Sequence, residues 1–282
     1  MRYSWNEEKI LKLLKEDEEK VSKQSNPELR LEIYSIRTAL NMPIIDEVKD
    51  KDNNQNSSII ISSASYIFKK KLVFDATSSK KILSKKEIVK KARSTMALKD
   101  KRCFSKTVRN GFFNMSNNNS QTFCLPAKKM SLINVTDRGI LSDARNIVHE
   151  VTHASYFNEL TYSELVNYYN SNLKETLPIL GEMFFIDRLD SYKEILNEQS
   201  IFLNNFYNYK NIKEIDAYAQ SFTLAEYLFM LYKTDKSKFN DNYYAFSELL
   251  KNKSDKEIIH RLAIDPISLM SSNEKYIRLY RR

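Results

Sequence analysis

Glycine and proline are the scarce residues of this chain. Three glycines (Gly111, Gly139 and Gly181) and five prolines are spread over 282 residues, where ordinary globular chains carry about 7% glycine. Such a chain favours long helices over turn-rich sheets, and it excludes the glycine-rich phosphate loops of the Rossmann and Walker kinds, because the required glycines are absent. Cysteine is scarcer still. Cys103 and Cys124 show no metal-ligand spacing and need not pair; with no signal peptide beside them they point to a reducing compartment. No run approaches the roughly 18 apolar residues of a membrane span, and Met1-Arg2-Tyr3-Ser4-Trp5-Asn6-Glu7-Glu8 lacks an apolar secretory core. The expectation is a cytoplasmic protein with no membrane partner.

What is present is enough apolar material for a core: 42% hydrophobic and 12% aromatic residues, in a length that holds one large domain or two modest ones. The formal charge of +9 is unevenly placed. Residues 69–102 hold thirteen Lys or Arg against three acids (Asp75, Glu87, Asp100), a net +10, so the rest of the chain sums to −1. A run of this kind is usually a solvated lysine face, and it also offers a rim for acidic peptides. No recognised nucleic-acid motif accompanies it, so nucleic acid is the least favoured partner.

Only three histidines occur, and two of them fall in Asn146-Ile147-Val148-His149-Glu150-Val151-Thr152-His153-Ala154-Ser155-Tyr156-Phe157. On a helix, residues four apart share a face, so His149 and His153 can reach one ion. Glu150, rotated by about 100° from His149, flanks that ion where a carboxylate can hold a water for attack. The pattern is that of a zinc site. A solvated or core-satisfied histidine pair is the bland alternative, and the flanks argue against it: Ser142 can cap the helix, and Ile147, Val148, Val151 and Ala154 form a burying stripe.

Along the chain, residues 4–23 read as an amphipathic helix capped by Ser4, with Ile10, Leu11, Leu13, Leu14 and Val21 as its stripe. Pro27 opens a second helix that runs to Pro43, and the polar run 50–58 is a loop. Residues 59–74 suggest strand. Ser84-Lys85-Lys86-Glu87 is a capping box for a helix to about Leu98. Phe112–Met115, Gln121–Leu125 and Met130–Val135 read as short strands just upstream of the histidine helix, and a sheet edge there can take an extended peptide. Thr161-x-x-Glu164 is a further capping box, with Leu165 and Tyr168 on the apolar side. Helices are expected over residues 212–233 and 243–251, and His260 is expected exposed. The organisation expected is an N-terminal helical region with the basic segment (1–100) and a catalytic region (101–282), mainly α with a small β-sheet next to the metal-binding helix.

Thr176-Leu177-Pro178-Ile179-Leu180-Gly181-Glu182-Met183-Phe184-Phe185-Ile186-Asp187 is almost wholly apolar apart from two acids. A carboxylate buried among such residues is costly unless paired or metal-bound, which nominates Glu182 as third ligand of a His₂Glu zinc set with a fourth position for water. Glu175 and Asp187 compete with it, and Asp187 can alternatively orient a histidine from behind. The chemistry expected is peptide-bond hydrolysis by zinc-activated water, with Glu150 as general base.

The order of strand pair, His149-Glu150-x-x-His153 and a carboxylate 29 residues later resembles the M3-type zinc oligopeptidases, especially the oligoendopeptidase F branch. Tyr218-Ala219, Tyr244-Ala245-Phe246-Ser247-Glu248-Leu249-Leu250-Lys251 and Leu262-Ala263-Ile264-Asp265-Pro266 look like that family's closing segments, and the likeness spans roughly residues 95–270. It implies a mostly helical, zincin-like fold, one zinc, and cleavage of short unfolded peptides in an enclosed channel. It also implies a histidine and tyrosines that stabilise the tetrahedral intermediate. Here the chain departs: Asn205-Phe206-Tyr207 stands where the family has His-Phe-Tyr, which leaves Tyr207, Tyr209 or Tyr218 for the oxyanion role. The N-terminal helical part is also much shorter. A catalytically weak or inactive relative that binds peptides or a protein partner through residues 69–102 is the alternative reading.

Overall fold

The computed structural model describes residues 4–22, 30, 32–33, 36–37, 58–68, 82–96, 103–116, 119–125, 128–207 and 217–280. The elements run α1 (Glu7–Ser22), α2 (Ser58–Phe68), α3 (Lys85–Met96), α4 (Cys103–Arg109), β1 (Gly111–Ser116), β2 (Gln121–Leu125), β3 (Met130–Thr136), α5 (Leu141–Phe157), α6 (Tyr162–Asn170), α7 (Thr176–Asp187), α8 (Tyr192–Tyr207), α9 (Ala217–Thr234), α10 (Lys236–Leu249), α11 (Asp255–Arg261) and α12 (Pro266–Tyr280). The protein is mainly helical with one small mixed sheet. No helix among the described residues is long and apolar enough to cross a membrane. Two compact units divide the chain, residues 1–53 with 81–170 and residues 54–80 with 171–282.

The first unit is built on the sheet, with strand order β1-β3-β2. β3 lies parallel to β1 and antiparallel to β2. As the central strand it is buried from Ser131 to Val135 with no alternation, because α5 packs on one face while neighbours flank both edges. Gly111 opens β1 where a Cβ would stand 2.3 Å from the Ser131 carbonyl oxygen, so a side chain there would force the strands apart. Asn134 ties the sheet's polar side, accepting from Asn114 Nδ2 at 2.7 Å and Ser116 Oγ at 3.0 Å. On the outer side of β2, the Cys124 N–H donates to Glu32 Oε1 at 2.5 Å.

All three expected strands are present, each within a residue of its expected bounds. The helix starts are less faithful. At α1 the cap is Asn6, whose Oδ1 accepts the Lys9 N–H at 3.0 Å, instead of Ser4; Ile10, Leu14 and Val21 form the buried stripe. At α5, Ser142 lies inside the first turn. The capping carboxylate is Asp143, fully buried, which accepts N–H groups from Arg138 at 2.8 Å and Ile140 at 3.1 Å and the Arg138 guanidinium at 3.0 Å. Gly139, at φ +74°, makes the turn before it. The two glutamate-closed caps are as expected: Ser84 with Glu87 at α3 and Thr161 with Glu164 at α6.

The second unit is helical, with α9 at its centre against α2, α7, α10 and α12. Residues 219–230 of α9 are buried. The strand expected over residues 59–74 is corrected here: residues 58–68 form helix α2, and 69–74 lie outside the described residues. Ile60, Ala64 and Ile67, spaced four and three apart, are fully buried. Ser62 and Ser63 turn their hydroxyls back onto the Ile59 carbonyl at 3.0 Å, so the polar residues satisfy themselves within the helix. A run of Ile, Ser and Tyr reads alike as strand or buried helix; packing against α9 and α12 selects the helix. The basic segment 69–102 is described from residue 82 to 96, where α3 buries Ile88, Val89, Ala92 and Met96 and presents its charged residues outward.

Candidate metal centre

α5 carries the candidate site. Ile147, Val148, Val151 and Ala154 are each 0–1% exposed and pack the helix onto the sheet. Two side chains bolt it there. Thr122 Oγ1 on β2 donates to the Glu150 carbonyl oxygen at 3.0 Å, and the Ser131 hydroxyl on β3 has the Ala154 carbonyl oxygen at 3.4 Å and Asn158 Oδ1 at 3.3 Å as acceptors for its one proton. The histidine pair is therefore held on a helix whose rotation and depth are set by the sheet.

The two imidazoles converge as their four-residue spacing requires. Nε2 of His149 and Nε2 of His153 are 3.2 Å apart, with the rings edge to face at 65°. At that distance the nitrogens either share a proton or face a common ion. His153 is buried and His149 partly so, and Glu150 between them is 7% exposed. Behind His153, Nδ1 stands 2.7 Å from the Tyr168 hydroxyl.

The third member of the group is Glu175. His149, His153 and Glu175 each offer a ligand atom, and these atoms all lie within 4.8 Å of one another, so the group can hold a metal ion. Glu175 ends the turn before α7. That turn is itself pinned: Ser171 Oγ donates to Asp255 Oδ1 at 2.6 Å and the Asn172 N–H to Asp255 Oδ2 at 3.0 Å.

Glu182, the carboxylate nominated from the sequence, does not belong to this group of three. It is buried, 8% exposed, two turns further along α7. Its surroundings include Tyr276, whose hydroxyl is pushed well above the usual tyrosine range by burial first, then by Tyr280, with Glu226 and Glu182 adding to it. The same region holds Gln199, donating to the Tyr276 hydroxyl at 2.7 Å, and Glu226, fully buried and held by the Asn273 amide at 2.8 and 3.0 Å. Asp187 does not reach a histidine; it pairs with Lys233. Tyr218 is the second residue of α9 and 43% exposed. Tyr207 is the last residue of α8, with its side chain outside the described set, as is all of Tyr209. His260 is exposed on α11.

Two residues that matter here carried no motif. Thr122 is an ordinary polar position on a strand, and the sequence places Tyr168 only on the apolar side of its helix. Glu175 had a signal: it is one of the two carboxylates that the sequence sets against Glu182, and it stands at the cap position just before α7. No protein-family model, curated protein or solved structure matches this chain.

Proposed function

We propose that the protein is a zinc metallopeptidase of zincin-like architecture, similar in plan to the M3-type oligopeptidases, with His149, His153 and Glu175 as metal ligands and Glu150 as general base. The observation that carries this is the facing of the two Nε2 atoms at 3.2 Å. Two nitrogens bound at about 2.0–2.1 Å to one tetrahedral ion stand about 3.3 Å apart. Two imidazoles and one carboxylate are also the donor set of catalytic zinc, which leaves one position for water. Glu175 replaces Glu182 as third donor because it is the carboxylate within reach of both imidazoles.

When bound, the ion supplies Lewis acidity to a water and to the scissile carbonyl. The chain's own residues do the rest. Glu150, directly after His149 and buried, takes the proton of the attacking water and returns it to the leaving amine. The Thr122 hydroxyl holds the Glu150 carbonyl, and with it the carboxylate's place on the helix. β2 forms one edge of the sheet, and apart from the Cys124 N–H, which Glu32 takes, its outward backbone groups are the ones an extended peptide would meet. Tyr207 and Tyr218 are the candidates for oxyanion support, a role worth a few kcal/mol where the hydroxyl is well placed.

The test is metal analysis of the purified protein combined with a peptide-library digest, with and without a chelator. Stoichiometric zinc and chelator-sensitive cleavage are expected. Bound zinc with no cleavage of any library member sinks the peptidase reading and leaves the peptide-binding relative in its place.

A further inference from the structure

We propose that Tyr168 is the positioning residue of the metal centre: its hydroxyl oxygen accepts the Nδ1–H of His153 and thereby leaves Nε2 as the lone-pair nitrogen turned toward His149. The inference rests on the metal-site reading above and deepens it. A neutral imidazole carries one N–H, and the bond made at one ring nitrogen decides what the other can do. With Nδ1 as donor, Nε2 is free to ligate; with Nδ1 as acceptor, Nε2 carries the proton and cannot.

The structure builds this partner with care. The Thr161 and Glu164 cap starts α6, and Leu165 and Tyr168, three apart, form its buried face at 3% and 2% exposure. The Tyr168 ring stands edge to face on His153 at 6.3 Å and on Phe157 at 5.4 Å, both at 87°, and tilts against Tyr156 at 5.2 Å. Phe157, one turn after His153 on α5, stacks on that imidazole at 6.0 Å and 21°. The histidine ring is thus held on its face by Phe157 and at Nδ1 by the hydroxyl, at 2.7 Å. Its remaining freedom is small, and Nε2 stays at the position from which it meets Nε2 of His149. Outer partners of this kind set the tautomer and raise ligand basicity, and losing one costs about 10–100-fold in metal affinity.

Tyr168→Phe keeps the ring and every aromatic contact while removing the hydroxyl. Two measurements decide the matter. The first is the His153 tautomer in the metal-free protein, read from ¹⁵N shifts: Nδ1–H is expected in the parent, and a shift toward Nε2–H in the variant. The second is zinc affinity by competition with a chelating dye, expected to weaken about 10–100-fold. Tyr169→Phe is the control, because it removes a buried hydroxyl that lies beside Glu32 instead; zinc affinity should hold. An Nε2–H tautomer in the parent protein overturns the proposal without any variant, as does a Tyr168→Phe protein with the parent's zinc affinity. If the parent takes up no zinc, the metal reading fails by itself, and the tautomer ratio still decides what Tyr168 does.

Discussion

The Thr122 hydroxyl on strand β2 donates to the main-chain carbonyl of Glu150 on helix α5 at 3.0 Å. An edge strand and the proposed general base are joined by a single side chain. A carbonyl inside a helix already accepts a bond from the next turn, so this second donor acts mainly as a spacer that fixes the distance between sheet and helix.

Thr122→Val keeps the shape and deletes the donor. The expected loss of stability in urea denaturation is about 1 kcal/mol, the ordinary net worth of one such bond. If the joint also sets the depth of Glu150, kcat should fall while zinc affinity stays at the parent value. An unchanged kcat would confine Thr122 to packing.

Glu150→Gln separates binding from turnover. The amide has nearly the carboxylate's shape but cannot take a proton at neutral pH, so zinc content should be retained while cleavage drops by about 10²–10⁴, the range assigned to general acid–base groups. Cleavage at the parent rate would falsify the mechanism.

Glu175 and Glu182 differ in what their loss should do. Glu175→Ala removes a proposed ligand and should abolish stoichiometric zinc binding at micromolar protein. It should also abolish the thermal stabilisation that zinc confers on the parent protein, which linkage puts at about 2.7 kcal/mol when free zinc is a hundred times its dissociation constant. Glu182→Gln alters a buried carboxylate that lies outside the group of three and should lower stability while leaving zinc binding close to the parent level. The opposite pattern in the two titrations would return the third-ligand role to Glu182.

Asp255 holds the turn before α7 through Ser171 and Asn172 and has a pH signature. Burial raises its carboxyl above 3.8, outweighing the opposing hydrogen bonds from Ser171 and Asn172. A group that takes its proton more readily when folded stabilises the fold fully below its unfolded value and loses that contribution as pH rises through its folded value. Relative to Asp255→Asn, the parent protein should therefore gain stability on acidification between its raised folded value and 3.8. Denaturation midpoints of the two proteins that run parallel across that interval would show that Asp255 has no such coupling.

Much of the first unit was legible because its signals are local. Three short apolar runs separated by polar turns became β1, β2 and β3, and the two Ser or Thr boxes closed by glutamate became caps at α3 and α6. Where several side chains compete for one role, local reading chose wrongly: Asn6 caps α1 in place of Ser4, and Asp143 caps α5 in place of Ser142. The longer carboxamide or carboxylate reaches the free N–H groups from a position the hydroxyl does not occupy. Residues 58–68 show the limit of composition, since a short run rich in Ile, Ser and Tyr reads alike as strand or buried helix, and contact with α9 and α12 decides it.

By itself the sequence determined the histidine pair. Spacing on a helix is covalent geometry, so His149, Glu150 and His153 stand as they do in any fold that keeps the residues helical, and the scarcity of histidine made the pattern visible. The tertiary structure decided what surrounds them. Burial cost pointed to Glu182, yet a buried carboxylate can be satisfied in several ways, and the group of three that could hold an ion contains Glu175 instead. Tyr168 was an apolar-face residue until the packing of α6 placed its hydroxyl at Nδ1 of His153. Which donor meets which nitrogen depends on distances between elements far apart in the chain, and no local pattern encodes those distances.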